Sequence, residues 1–229
     1  MKRVGIVQSC YIPWKGYFDL INRVDEFILL DDVQFTRRDW RNRNRIKTSD
    51  GPLWLTIPVK TRGRYTQSIA ETEVSEPGWP QRHWKSIFQW YARARCFGEY
   101  AEPFEKLFLD CHERHLSRVN RRFIEEICRA LGITTTIHWS WEYELATGKT
   151  ERLLNLCEQA EATHYLSGPT AKHYLDVDAF AERGITVEWM DYSGYPEYHQ
   201  LFPPFQHDVS ILDLVFNEGR QAKRFMRSF

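Results

Sequence analysis

The first thirty or so residues limit the fold more than anything else in the chain. Val4-Gly5-Ile6-Val7 is a short, continuous apolar run, as expected of a strand buried on both faces. A polar and aromatic loop follows over residues 8–14, and residues 16–24 then carry apolar side chains at helical spacing. Phe27-Ile28-Leu29-Leu30 is a second buried run, ending in Asp31-Asp32. Strand, loop, helix and strand in this order make a βαβ unit, the seed of a parallel sheet whose faces must be covered.

The rest of the chain fits around that seed. Residues 45–47 and 53–59 read as a hairpin about an Asp50-Gly51 turn. Residues 68–74 read as a further strand. Residues 82–94, 100–110 and 116–131 have helical apolar periodicity. Strands are expected at 134–139, 164–166 and 186–190. Helices are expected at 150–160, from Ala171 onward behind a Thr170 cap, and at 209–216. The predicted class is α/β: one Rossmann-like domain over residues 1–229, with a parallel-core sheet, an antiparallel hairpin and a helical layer around residues 80–131.

Composition narrows the function classes. Lys and Arg number 31 and Asp and Glu 31, so the net charge is zero, which argues against broad coating of a polyanion. The 5 cysteines are scattered and form no Cys-x-x-Cys, so reduced thiols and a cytoplasmic location are expected. No apolar stretch approaches the roughly 20 residues of a membrane span, so no membrane insertion is expected. His112 and His115 lack further ligands at metal-binding spacing, so no metal site is expected. Aromatic residues reach 15%, and the informative ones are those in loops, where a core does not require them.

Several constellations could carry chemistry. The first is the loop and helix start that contain Gln8, Tyr11, Trp14, Lys15, Gly16 and Tyr17. It lies at the carboxyl end of the first strand, where open α/β sheets bind ligands. Gly16 would permit close backbone approach and Lys15 would add a phosphate-directed charge; the alternative is that Trp14 and Tyr17 cover a sheet edge. The second is Asp31-Asp32-Val33-Gln34, at the end of the second strand. Strand alternation lets one of the two acids face a ligand, where it could bind a hydroxyl, hold Mg²⁺ or accept a proton from an amine. The third is the basic loop with Arg38, Trp40, Arg41, Asn42, Arg43, Asn44 and Arg45, which suits phosphate clamping with ring stacking, or else is a solvated charge run. Ser167 and Lys172 flank a small-residue turn that could form a second anion site or simply a helix start. His207, beside Asp208, is a candidate base, although adjacent residues seldom face each other.

With these runs in view, the chain resembles the WbqC-like protein family. The matching segments are Gln8 to Ile21, Asp31 to Phe35, Trp40 to Asn44, Gly148-Lys-Thr-Glu-Arg152, Ser167-Gly-Pro169 with Lys172, Leu201 to Phe205, Ser210 to Leu214 and Asn217-Glu-Gly219. The resemblance implies bacterial origin and association with surface polysaccharide (O-antigen) biosynthesis, often beside genes for amino-sugar nucleotides, with amino-sugar acylation or aminoacylation as the attractive chemistry. A more distant resemblance is to pantothenate synthetase and other nucleotidyl-transfer enzymes with a His-x-Gly-His motif. Gly16 keeps the motif's glycine, Trp14 and Tyr17 stand where its histidines would, and Gln34-Phe35 keeps a later pair.

The expected activity is acylation or aminoacylation, with glycyl transfer as one form, of the amine of a nucleotide-linked amino sugar. ATP with Mg²⁺ or an activated carrier such as aminoacyl-tRNA would supply the acyl group. The expected partner is a nucleotide-sugar or other small phosphorylated substrate, with tRNA as the alternative. A non-catalytic nucleotide-sugar or RNA-binding protein of the same pathway is the competing reading.

Overall fold

The computed structural model describes residues 1–229. Five strands, β1 (Arg3–Val7), β2 (Glu26–Leu29), β5 (Thr136–Trp139), β6 (His164–Ser167) and β7 (Thr186–Trp189), form one parallel sheet in the order β5-β2-β1-β6-β7. Every neighbouring pair in it is parallel. The chain builds outward from β1 to one side, then returns to β6 and builds to the other. The carboxyl ends of β1 and β6 therefore flank a topological switch point, where sheets of this kind open a crevice.

The two faces are sorted by strand alternation. Phe27 and Leu29 of β2 join the larger core with α1 (Lys15–Asn22), α4 (Leu116–Leu131) and α7 (Ile211–Glu218). Val4, Ile6 and Ile28 point the other way and pack with Leu153, Leu154 and Leu156 of α5 (Lys149–Gln159) and Phe180 of α6 (Val177–Glu182). Gly5 permits the close seating of α1: a Cβ there would come within 2.7 Å of Leu20.

Between β2 and β5 the chain inserts a hairpin, β3 (Arg43–Thr48) with β4 (Gly51–Thr56), and then α2 (Trp79–Tyr91) and α3 (Phe97–Leu109) ahead of α4. These helices extend the larger core over the loop that follows β1. Two local expectations are corrected. Residues 68–74 make only isolated bridges, Ser68 with Gln34, Glu73 with His115 and Val74 with Val59, so they are no strand. Residues 169–173 form a 3-10 turn, and the helix begins at Val177, capped by Asp176, whose Oδ1 accepts from the Ala179 N–H at 3.2 Å. Between β7 and α7 residues 190–210 form a largely irregular strap that packs on Trp14 and Lys15 at the start of α1. No helix is long and apolar enough to cross a membrane.

Candidate functional site

A cleft of about 610 Å³ opens at the carboxyl edge of the sheet. Gln8 enters it from the end of β1, Asp32 and Gln34 from the end of β2, and Lys149 and Arg152 from the first turn of α5. Asp32 is its only carboxylate. One oxygen pairs with Arg152 at 2.9 Å, and the other accepts from Ser140 Oγ at 2.5 Å. Gln34 donates to the Tyr65 carbonyl at 2.8 Å, which fixes its amide beside the cleft. Lys149 is exposed, with its ammonium 6.0 Å from the Tyr174 ring centre. Two cations, Lys149 and Arg152, share the cleft with one carboxylate, so its lining carries a net positive charge that favours an anion.

The adjacent acids divide their work. Asp31 is fully buried, with Ser9 N–H donating to one carboxylate oxygen at 2.8 Å and Ser117 Oγ–H to the other. Burial pushes its carboxyl above the usual range, partly offset by these donors. It ties the loop after β1 to α4 and does not line the cleft. Of the two acids, Asp32 is the one a ligand can meet.

A second, smaller pocket of about 240 Å³ lies between the loop after β1 and the basic loop. Trp14, Tyr17 and Trp40 wall it, Cys10 and Pro13 also line it, and Asn44 and Asp208 contribute its polar lining. Arg41 turns inward, donating to Cys10 Sγ at 2.8 Å and more distantly to the Gln8 carbonyl at 3.4 Å. Burial pushes the Cys10 thiol up to about 11, so it is protonated at neutral pH.

Several expected ligand contacts are taken up by the fold. Tyr11 is buried against Trp79 and Phe123, and its hydroxyl meets His83 Nδ1 at 2.9 Å. Lys15 does not face a phosphate site: its ammonium donates to the Pro196 carbonyl at 3.2 Å and sits 4.9 Å from the Tyr195 and 5.1 Å from the Tyr198 ring centres. Burial lowers its pKa to about 8. The space left by Gly16 is filled by the Trp14 indole, 2.3 Å from where a Cβ would stand. Ligand approach is therefore not what its missing side chain serves.

The basic loop is largely paired within the protein. Arg43 stacks on Trp54 at 4.1 Å and donates to the Arg38 carbonyl. Arg45 lies against Trp40 and Trp54 and pairs with Asp208. Asn42 donates to the Ile57 carbonyl at 2.8 Å, and Asn44 to the carbonyls of Tyr11 and Ile12 at 3.1 and 2.9 Å. The Asn residues are struts for the loop. Ser167 is buried at the end of β6, and the Lys172 ammonium sits 5.5 Å from the Trp189 ring centre; neither lines the cleft. His207 packs on Phe205 at 4.6 Å, on the strap and away from Asp32, and burial followed by Lys15 lowers its pKa. No group of three or more His, Cys, Asp or Glu comes together in a way that could hold a metal ion.

The residues that the candidate set misses are Ser140, Lys149, Arg152 and Tyr174. A signal for two of them lies in the sequence. Lys149 and Arg152 stand at the start of a helix, where the dipole disfavours cations, so their placement there calls for an anionic partner.

A model of the WbqC-like protein family matches residues 8–225. An uncharacterized protein of Mycobacterium tuberculosis is 52% identical over 227 residues, covering 99% of this chain and 98% of its own length. No solved structure matches the chain.

Proposed function

The chain belongs to the WbqC-like protein family, and on that premise we propose that it serves bacterial surface polysaccharide biosynthesis by acylating or aminoacylating the amine of a nucleotide-linked amino sugar. The observation that carries this reading is the cleft in which Asp32 stands between Arg152 and Ser140, with Lys149 beside it. Lys149, Arg152 and the N–H groups of the α5 start would hold the phosphates. Gln8 and Gln34 would meet sugar hydroxyls. Asp32 would accept a hydrogen bond from the substrate amine and take its proton as the nitrogen attacks the acyl carbonyl. The carrier then leaves with its own electron pair.

The test is product mass. Purified protein is incubated with nucleotide-linked amino sugars and each donor class: ATP with a carboxylic acid, an acyl carrier and aminoacyl-tRNA. The reading expects the sugar nucleotide to gain one acyl mass with one donor, and Asp32→Asn to abolish that gain while binding persists. Nucleotide-sugar binding without a mass change under any donor would instead identify a non-catalytic binding protein.

A further inference from the structure

Leu30, Val33, Leu153 and Tyr174 line the cleft beside its charged groups. The first three also pack on the two cores, so the fold accounts for them. Tyr174 belongs to neither core. It follows the 3-10 turn of residues 169–173, its N–H donates to the Ala171 carbonyl at 3.1 Å, and its neighbour Leu175 is buried. The backbone is thus fixed while the Tyr174 side chain stays 52% exposed. Scattered exposed apolar groups need no explanation, but a fixed ring in the lining of a charged cleft does.

Contacts link four groups in a row. The Lys149 ammonium is 6.0 Å from the Tyr174 ring centre. Lys149 and Arg152 stand three positions apart, as neighbours on the first turn of α5. Arg152 in turn pairs with Asp32 at 2.9 Å. A nucleotide-linked amino sugar presents its parts in the same order: a flat base, two phosphates, and a hexose that bears the amine. At 6.0 Å the ammonium is at the outer limit of cation–π contact, and half of Tyr174 remains open to solvent. Stacking on an aromatic side chain needs only a π-face, which every base has.

We infer that Tyr174 is the platform for the nucleobase, so that one ring and two cations hold the nucleotide end of the substrate and direct its amine to Asp32. The inference rests on the acyl-transfer reading above and gives it a binding direction. The opposite direction would set the flat base against the paired Asp32 carboxylate. It would also leave the amine beside Lys149, where a second cation stands in place of a proton acceptor.

The test reads binding before turnover, by calorimetry on the full chain. The probes are UDP, dTDP, CDP and GDP, of which the tightest is carried forward, with pyrophosphate and glucosamine 1-phosphate as ligands without a base. Tyr174→Ala, checked for an unchanged fold by its melting curve, is expected to weaken the nucleoside diphosphate about tenfold and to leave the two controls within about twofold of the wild type. Tyr174→Phe, which keeps the ring, is expected to bind as the wild type does. Lys149→Ala is expected to weaken the nucleoside diphosphate and pyrophosphate alike. In NMR spectra the nucleoside diphosphate, and not pyrophosphate, is expected to shift the Tyr174 ring signals. No binding of any of the four, an equal loss for pyrophosphate in Tyr174→Ala, a loss confined to glucosamine 1-phosphate, or a Tyr174→Phe as weak as Tyr174→Ala would overturn the inference. A mass gain on the sugar nucleotide that Tyr174→Ala leaves at the same KM would overturn it while keeping acyl transfer. Binding through Tyr174 without a mass gain from any donor would keep the platform and remove the acyl-transfer reading.

Discussion

Asp32 and Arg152 meet at 2.9 Å across the carboxyl edge of the sheet, joining the end of β2 to the first turn of α5. The pair holds the one carboxylate of the cleft at the place where the helix start draws anions. Arg152→Ala is expected to weaken binding of a nucleotide diphosphate sugar by about tenfold to a hundredfold, the scale of a charge-assisted hydrogen bond. Calorimetric titration measures it. Because both partners keep some solvent contact, the loss of stability should stay within about 1 kcal/mol.

Asp31 and Asp32 should separate cleanly. Asp31→Ala leaves the Ser9 N–H and the Ser117 hydroxyl without their acceptor in a buried place. A loss of about 2–4 kcal/mol in stability is expected from two such groups, seen as an earlier denaturant midpoint. Asp32→Asn should lower stability far less and remove turnover.

The raised pKa of Asp31 also has a sign that can be checked. The fold favours the protonated acid, so its contribution is fully present below the ordinary carboxylate value of 3.8 and is lost as pH rises through its folded value. Relative to Asp31→Asn, the wild type should therefore gain stability as pH falls toward 3.8. A stability difference that does not change with pH would refute this.

His83 works in the opposite direction. Burial lowers its pKa from 6.5 to about 4, and its neutral ring accepts from the Tyr11 hydroxyl while donating to the Thr56 carbonyl at 3.2 Å. The stability it supplies is present above pH 6.5 and is lost as pH falls through about 4. NMR titration of the ring should find its midpoint near 4, and melting temperatures should fall across the same interval.

Asp19 of α1 is fully buried and accepts from the N–H groups of Arg227 and Ser228 and from the Ser228 hydroxyl. Asp19→Ala should cost about 2–4 kcal/mol, and Ser228→Ala, which removes one donor, about 1 kcal/mol. Urea titration of both variants checks the ratio.

The residues differ in how far the sequence displays their roles. The β1 and β2 runs are legible because strands buried on both faces must be continuously apolar, and the Asp50-Gly51 turn announces the hairpin by its backbone needs. Period-two alternation is enough to expect that Asp31 and Asp32 part ways. Tyr11 and Lys15 are not legible, because what encloses them is remote in sequence. Tyr11 is covered by α2 and α4, and Lys15 by Pro196, 181 residues away. The arginines of the basic loop look unpaired locally, yet Arg45 finds Asp208 and Arg41 finds Cys10. Lys149 and Arg152 could have been found from their conflict with the helix dipole.

The contact between Asp19 and Ser228 spans 209 positions of the chain. At roughly 5–20 residues per second, a ribosome needs about 10–40 s to cover that distance. Throughout that interval the first helix carries a carboxylate that its final seat would bury without donors. Its docking on the sheet is therefore tied to the synthesis of the segment that holds Arg227 and Ser228. Until that segment has been made, the Asp19 carboxylate has only water to satisfy it, so the final seat of α1 is a late contact of this fold.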